Sequence, residues 1–269
     1  MKSRLGPNIS GQIHPDFSKL RDFVQGLPHT FHKSGIILMD HRNILKLMTL
    51  PQGEFVVKYF KGMYFFNRLA YSFIRKSKAE RSYKFSERLN SMGVLTPTPV
   101  AWMDIYQRGL LKESYFISRF YNEKTLWQLL EDYSNPENKT ARQTLLHDVA
   151  SLAFDLHRKG IYHGDFGAGN LLVRMENGQR SFSMVDLNRV KFGRVSYRKG
   201  ISNFSKLHLA TEEMNSIISK YAQLNGQPAD KSIALYWRDF NVANSIRTWR
   251  RAVRKYTLTP VEKLFKNKS

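Results

Sequence analysis

The chain has 269 residues, of which 42% are hydrophobic and 13% aromatic, so it can bury a core and is not globally disordered. It contains no cysteine, which excludes disulfides, thiolate metal sites and a cysteine nucleophile. Forty-three lysines and arginines oppose 22 aspartates and glutamates, and the resulting net charge of +21 indicates an anionic partner: nucleic acid, membrane or substrate.

The first residues lack the apolar region of a signal peptide, and no stretch approaches the ~18 apolar residues of a membrane-spanning helix. We therefore expect a cytoplasmic protein. Residues 1–30 are interpreted as an extension that precedes the main fold. From residue 31 three apolar runs follow, SGIILM, NILKLMTL and EFVVKYF, separated by polar turns at 40–43 and 51–53. They predict an antiparallel meander, with Lys58 in the middle of its third strand.

Residues 61–78, KGMYFFNRLAYSFIRKSK, interleave aromatic and basic residues and contain no acid. Core packing and solvation explain such a composition, and so does contact with a membrane interface. The following stretch, KAERSYKFSERLNSMG, predicts a helix that ends at Gly93. Further on, TPTPVAWMD and SYFISRFYNE predict two strands, and apolar residues at helical spacing predict a helix over 139–159.

Residues 161–189 carry three polar residues between apolar runs. Asp165 and Asn170 are five positions apart in HGDFGAGNLLV, and Asp186 ends a second apolar run, FSMVD. This pattern predicts a loop, a strand, a turn around residues 176–178, and a returning strand with an acid at its tip. After residue 189 the chain is helical and basic, with helices predicted over 203–226 and 233–256.

Phosphoryl transfer by kinase-type enzymes requires this set of polar groups. One aspartate, Asp165, orients the acceptor hydroxyl and takes its proton, while Asn170 and Asp186 hold Mg²⁺ on the phosphates of ATP. Their oxygens are hard ligands that suit Mg²⁺ rather than zinc. The spacing matches the H-x-D-x-x-x-x-N and D-F-G signature of protein kinases. Ordinary turns also use Asp and Asn beside glycine, which is the alternative explanation, and His163 fits a buried structural histidine.

The kinase interpretation assigns roles to three upstream features. Lys58 takes the position of the ATP-binding lysine, although an exposed strand lysine is the ordinary alternative. The helix after residue 77 offers Glu80 and Glu87 as ion-pair partners for Lys58, and we prefer Glu80 because Tyr83 extends an apolar stripe on its face. The turn at 120–123 takes the position of the hinge that binds adenine.

The motifs HGDFGAGNLL and FSMVDLNRVKFG, with KAERSY and LNSMGVLTPTPVAW upstream, resemble the bacterial lipopolysaccharide kinases, the Kdo/WaaP-like group that phosphorylates core sugars. The resemblance covers about residues 31–255. It implies an α+β, two-lobed protein-kinase-like fold, with an antiparallel-sheet N-lobe and one main helix over 31–122, and a larger, mainly helical C-lobe over 123–269.

The resemblance further implies transfer of the γ-phosphate of ATP, with Mg²⁺, to a Kdo or heptose hydroxyl of the lipopolysaccharide inner core. It gives Asp165 as the catalytic residue, Asn170 and Asp186 as metal ligands, and Lys58 with Glu80 as the nucleotide-binding pair. An acceptor anchored in a bilayer places the enzyme on the inner face of the inner membrane as a peripheral protein. Lys and Arg in 61–78, with the arginines of the C-terminal helix, are the predicted membrane contacts.

The sequence departs from kinases in two places. No G-x-G-x-x-G precedes Lys58, so the turn at 40–43 would cover the phosphates without a glycine, and Asn188 replaces the glycine of D-F-G. An aminoglycoside- or choline-type phosphotransferase shares the aspartate and asparagine pattern, but the +21 charge would repel polycationic aminoglycosides. Protein phosphorylation and a non-catalytic, membrane-binding pseudokinase remain alternatives. No nucleic-acid-binding module is recognisable, and we expect no nucleic-acid partner.

Overall fold

A computed structural model describes residues 4–61, 76–176 and 178–266. The chain forms two compact units, and contacts group residues 1–129 with 168–190 as unit 1 and residues 130–167 with 191–269 as unit 2. The fold is mixed α/β with a large antiparallel sheet, as expected for the α+β class. None of the helices within the described ranges is long and apolar enough to cross a membrane.

The main sheet of unit 1 has seven strands. They are β1 (Arg4–Gly6), β2 (Ile9–Ile13), β3 (Ile36–Asp40), β4 (Ile44–Leu50), β5 (Gly53–Tyr59), β6 (Pro99–Gln107) and β7 (Leu110–Arg119). Their order is β1–β2–β6–β7–β5–β4–β3, and every neighbouring pair is antiparallel. The pairing of β3, β4 and β5 confirms the predicted meander, because short polar turns connect antiparallel neighbours.

The first 30 residues, which we expected to precede the fold, lie inside it. β2 pairs with β6, and helix α1 (Arg21–Thr30) buries Val24 and Leu27 in the sheet core. Gly11 permits this pairing, because a Cβ at that position would lie 2.6 Å from the Trp102 carbonyl oxygen. β1 and β2 are only three and five residues long, so their sequence carries little periodicity.

The other face of the sheet is covered by helix α2 (Lys78–Ser91), which packs Tyr83 against Trp102 and Phe116. Ser77 is the N-cap of the helix, because its hydroxyl accepts a hydrogen bond from the Glu80 N–H at 2.9 Å. The helix ends before Gly93, whose φ of +66° is the left-handed conformation of a helix C-terminus. This confirms the predicted helix.

A second, three-stranded sheet completes unit 1. Its strands are β8 (Lys124–Thr125), β10 (Leu171–Glu176) and β11 (Gln179–Met184), in the order β11–β10–β8. β10 and β11 form an antiparallel hairpin in which Leu171 pairs with Met184 and Glu176 pairs with Gln179. The strand–turn–strand prediction is therefore confirmed.

Unit 2 is mainly helical. The chain enters it within helix α3 (Leu126–Asp132) and continues through α4 (Lys139–Arg158), β9 (Ile161–His163), β12 (Val190–Phe192), α5 (Tyr197–Ser202), α6 (Thr211–Leu224) and α7 (Ala229–Lys266). β9 and β12 form a two-stranded sheet. Helix α4 buries Leu145, Val149 and Leu156 of its predicted apolar stripe, whereas Leu152 is half-buried.

The predicted membrane segment at 61–78 is described only at its two ends. Residues 62–75, which include its five tyrosine and phenylalanine residues, lie outside the described part of the chain. Lys61 and Lys76 are described: Lys61 pairs with Asp40, and Lys76 lies 3.9 Å from Glu80. The interfacial role of this segment therefore stays a prediction.

Candidate active site

Lys58 lies on the face of β5 opposite the main core. Successive side chains of a strand point to opposite faces, so Phe55 and Val57 pack into the core while Val56 and Lys58 line a cavity on the other side. The Lys58 ammonium lies 2.9 Å from Asp186 Oδ1 and is mostly buried. Two of the predicted site residues, 128 positions apart in the chain, are thus in direct contact.

The hairpin of β10 and β11 brings Asn170 and Asp186 to one end. The pairing of Leu171 with Met184 sets the register, and the Val185 N–H donates to the Asn170 carbonyl at 3.0 Å. Asp186 follows with φ 51° and ψ 58°, a left-handed conformation that aspartate adopts more readily than most residues. Two hard-oxygen side chains therefore emerge from adjacent backbone positions.

Asn188 is a site residue whose contacts the sequence did not predict. Its Nδ2 donates to Asp186 Oδ1 at 3.3 Å and to Ser82 Oγ of α2 at 3.2 Å. Asp186 Oδ1 consequently accepts from both Lys58 and Asn188, and Asn188 ties it to α2. The sequence shows that Asn188 takes the position of the glycine in D-F-G. That position alone does not identify Ser82 as its second hydrogen-bond partner.

The predicted ion pair between Lys58 and Glu80 is not formed. Glu80 is 2% exposed, and its Oε1 lies 3.2 Å from Lys84 and 3.9 Å from Lys76. Lys84 is four residues further along α2, a spacing that brings side chains together on a helix, whereas Lys76 lies just before the helix begins. The ammonium of Lys58 is engaged by Asp186 instead.

The cavity beside Lys58 has a volume of about 330 Å³ and is formed by unit 1. Its polar lining includes Lys58, Asn170 and Asp186. Apolar side chains from both sheets of the unit also line it: Leu45 and Val56 from the main sheet, and Leu172 from the smaller one. Apolar walls with a few converging polar groups are typical of sites for cofactor-sized ligands.

The predicted hinge also lines this cavity, through Phe120, Tyr121 and Glu123. Phe116 pairs with Lys58 across β5 and β7, and the Phe120 N–H donates to the Glu54 carbonyl. Phe120 therefore lies beside Glu54, which is four residues before Lys58 on β5. Four residues of a strand span about 13 Å. The cavity is long enough to hold a base and a phosphate chain at separate positions.

Arg174 of β10 supports the hinge segment. Its Nε donates to Glu123 Oε1 at 2.6 Å, and its guanidinium lies 5.3 Å from the centre of the Tyr121 ring. The Tyr121 hydroxyl in turn lies 2.8 Å from Thr98 Oγ1. The hinge is held by side chains from β10 and from the segment before β6, so its backbone is pre-organised for a ligand.

The turn between β3 and β4, predicted to cover the phosphates, contributes Asn43 to the cavity lining. Leu38 and Met39, from the preceding strand, line the cavity as well. Asp40 pairs with Lys61, which holds the strand end on the side of β5. Side chains, rather than the backbone of glycines, form this border of the cavity.

Asp165 belongs to unit 2, in the loop after β9. Its backbone N–H donates to His163 Nδ1 at 3.2 Å, and His163 is 1% exposed. The following Phe166 is fully buried and contacts the ring of Phe204 edge-on. A buried histidine and a buried phenylalanine thus anchor the loop on both sides of Asp165, in agreement with the structural role expected for His163.

Two comparisons with known proteins found chains similar to this one. A solved structure described as "WaaP in complex with acyl carrier protein" matches with a TM-score of 0.60 and 16% sequence identity, covering 86% of this chain and 98% of that chain, so the two share a fold. The family model "Lipopolysaccharide kinase (Kdo/WaaP) family" matches residues 50–226. The chain belongs to the lipopolysaccharide kinase family. No curated protein sequence matches it.

Proposed function

We propose that the protein transfers the γ-phosphate of ATP, bound with Mg²⁺, to a Kdo or heptose hydroxyl of the lipopolysaccharide inner core. The observation that carries this proposal is the cavity of about 330 Å³ lined by Lys58, Asn170 and Asp186 in a member of the lipopolysaccharide kinase family. The two-lobed kinase architecture that the resemblance implies belongs to the same proposal.

The cavity suits a purine nucleotide. Its apolar walls, Leu45, Val56 and Leu172, offer the flat contact that a purine ring requires, and the segment 120–123 offers backbone groups for its edge. Lys58 supplies a positive charge for the phosphates. Lys58 and Asp186 form an ion pair at 2.9 Å. When a nucleotide binds, Lys58 would contact its phosphates and Asp186 would contact Mg²⁺ in place of this ion pair.

Asn170 and Asp186 fit Mg²⁺. Within the described ranges, no group of three or more His, Cys, Asp or Glu side chains could hold a metal. A magnesium ion bound with a nucleotide does not need such a group, because it takes one or two protein oxygens together with phosphate oxygens and water. When bound, the ion would neutralise charge on the phosphates.

Asp165 is proposed to orient the acceptor hydroxyl and take its proton. The acceptor oxygen forms a bond to the γ-phosphorus as the bond from that phosphorus to the β–γ bridging oxygen breaks, and ADP leaves. The buried contacts of His163 and Phe166 hold the loop that carries this carboxylate. An acceptor of this class is rich in phosphate and acidic sugars, so the +21 charge would attract it, and a polycationic aminoglycoside would be repelled.

Two aspartate variants test this assignment. Asp165→Asn should keep nucleotide binding nearly intact and lower turnover by about 10²–10⁴-fold, because only the proton acceptor is removed. Asp186→Asn should also weaken Mg²⁺-dependent nucleotide binding, because it removes a metal ligand. Binding is measured by calorimetry, and transfer by mass spectrometry of lipid A–core oligosaccharide isolated from cells that lack the gene.

Asp155→Asn is the matched control, since Asp155 is an exposed aspartate on α4 of the same unit as Asp165. It should behave as wild type. Wild-type turnover in both Asp165→Asn and Asp186→Asn would show that the site is assigned wrongly. Turnover with aminoglycosides but not with the core oligosaccharide would show that the acceptor is an aminoglycoside instead.

A further inference from the structure

Helix α7 has two parts with different environments. In its first part Tyr236 is buried, and the Trp237 indole N–H donates to Asn215 Oδ1 of α6 at 2.7 Å. Asp239 pairs with Arg198 of α5 through both carboxylate oxygens, at 2.6 and 2.9 Å. From Asn244 onward, every side chain that the structure describes is exposed. The first part holds the helix on unit 2, and the described side chains of the second part are exposed to solvent.

An exposed apolar stripe runs from the end of the first part into the second. Its members are Val242, Ile246, Trp249 and Val253, with 56%, 45%, 66% and 38% of their surfaces exposed. Their spacing of four, three and four residues places them within an arc of about 60° on the helix, at 100° per residue. A helix normally turns such a face towards a core, whereas Val242, Ile246 and Trp249 on this face are each at least 45% exposed.

The charge around the stripe has one sign. Between residues 240 and 261 the sequence contains five lysines and arginines and no aspartate or glutamate. Arg247 and Arg250 lie within the stripe's length, and both are exposed. An apolar face bordered by arginines, with a tryptophan at its centre, is typical of helices that lie in the interface of a bilayer.

We propose that the stripe Val242, Ile246, Trp249 and Val253 inserts into the headgroup region of an anionic bilayer, with the neighbouring arginines contacting phosphate headgroups. Two copies of a chain with a charge of +21 would repel each other along this surface, and four side chains form a small patch compared with the ~800 Å² per partner of a stable interface. Charge complementarity therefore favours a membrane over a second copy. The proposal extends the proposed function, because a lipid-anchored acceptor requires an enzyme at the membrane surface.

The test is co-sedimentation with vesicles of phosphatidylethanolamine and phosphatidylglycerol, compared with vesicles of phosphatidylcholine. Wild-type protein should bind the anionic vesicles more tightly by at least about tenfold, and high salt should release it. The double variant I246S/W249S should lose at least about tenfold in affinity, because it removes the two central apolar contacts. R247E/R250E should lose a similar factor at low salt.

Two matched control variants change the same kinds of residue outside the stripe. W127S/M175S removes a tryptophan and an aliphatic residue that are 52% and 56% exposed outside the stripe, and R108E/K112E reverses two exposed charges. Both should bind vesicles like wild type. Acyl-brominated lipids should quench the fluorescence of Trp249, and W249F should remove this quenching, which separates insertion from adsorption. Circular dichroism confirms that each variant is folded.

Several results would overturn the proposal. These are equal loss of binding in the stripe variant and in W127S/M175S, equal binding to neutral and anionic vesicles, and no binding to either. A change from dimer to monomer in I246S/W249S with unchanged vesicle binding would assign the stripe to a second copy. Transfer to water-soluble core oligosaccharide should be normal in I246S/W249S. Failure of that transfer in the wild type would reject the proposed function and leave the vesicle result standing.

Discussion

At the scale of single residues, Asp186 shows how its surroundings define a functional group. Its left-handed backbone, the ammonium of Lys58 and the amide of Asn188 together orient one carboxylate at the border of the cavity. The sequence motif identified Asp186, because an aspartate at the end of an apolar strand is a local pattern. The motif could not identify Ser82, whose contact with Asn188 joins residues 106 positions apart.

His157 in unit 2 is a second residue whose environment changes its chemistry. Its Nδ1 lies 2.8 Å from the Tyr221 hydroxyl and its Nε2 lies 3.3 Å from Asn203 Nδ2. Burial, and to a smaller extent the charge of Lys199, lowers the pKa of His157 from 6.5 to about 4. The unfolded chain therefore binds more protons than the folded chain between about pH 4 and 6.5, and this contribution to stability is lost as the pH falls through that window.

We predict a pH-dependent stability that His157→Gln removes. Between pH 7.5 and pH 5 the lowered pKa of His157 should reduce the free energy of unfolding of the wild type by about 2 kcal/mol, and that part of the loss should disappear in the variant. Guanidinium chloride unfolding at the two pH values measures it. Tyr221→Phe keeps the buried imidazole and should retain the pH dependence. An identical pH dependence in wild type and His157→Gln would contradict the assignment.

At the scale of elements, α2 shows that a correctly predicted helix can still have an incorrectly predicted ion pair. Glu80 and Tyr83, three residues apart on α2, are both buried, as the sequence predicted, and Glu87 is only partly buried. The helix was therefore predictable from its periodicity. Its pairing was not, because Glu80 contacts Lys84 and Lys76, while Lys58 contacts Asp186.

The element-scale prediction concerns nucleotide affinity. Lys58→Ala should lower the affinity for Mg²⁺·ATP by about 10–100-fold, because it removes a charge-assisted contact to phosphate. Glu80→Gln should have a smaller effect, since it changes α2 without removing the ammonium. Glu87→Gln is the control and should leave affinity unchanged. Calorimetric titration measures all three, and a larger loss in Glu87→Gln than in Glu80→Gln would contradict a supporting role of the buried Glu80 side chain at the site.

At the scale of the whole molecule, segments far apart in the sequence build the cavity. Residues 38–58, 116–125 and 169–187 all contribute to its lining, so a ligand there should stabilise the folded state of unit 1. The +21 charge adds a second effect, because any polyanion that binds the surface relieves self-repulsion. A measurement of ligand stabilisation has to separate these two causes.

We predict that Mg²⁺·ATP raises the melting temperature. At a concentration of 100 times Kd the stabilisation is about 2.7 kcal/mol, or roughly 5–10 °C for a chain of this size. Differential scanning fluorimetry measures the shift. Tripolyphosphate carries similar charge without a purine and should produce a smaller shift that high salt removes. A shift equal to that of Mg²⁺·ATP, or one unchanged by Lys58→Ala, would indicate surface binding instead of cavity binding.

Several features of the fold are encoded by short segments of the chain. The meander of β3, β4 and β5, the helix with Glu80, the hairpin between Asn170 and Asp186 and the basic C-terminal helix all follow from apolar periodicity and turn residues. The family followed from the motifs, and the match over residues 50–226 confirms it. These features are local, because each depends on residues within about 25 positions of one another.

Contacts between residues that are distant in the sequence became known from the structure. It placed the first 30 residues in the sheet through the pairing of β2 with β6, it paired Lys58 with Asp186 instead of Glu80, and it left the apolar side chains of the stripe on α7 exposed. An apolar stripe has the same sequence whether a core or a membrane covers it, and a lysine has the same sequence context whichever carboxylate it meets. The outcome depends on packing between segments that can be more than 100 residues apart, and local patterns contain no information about that packing.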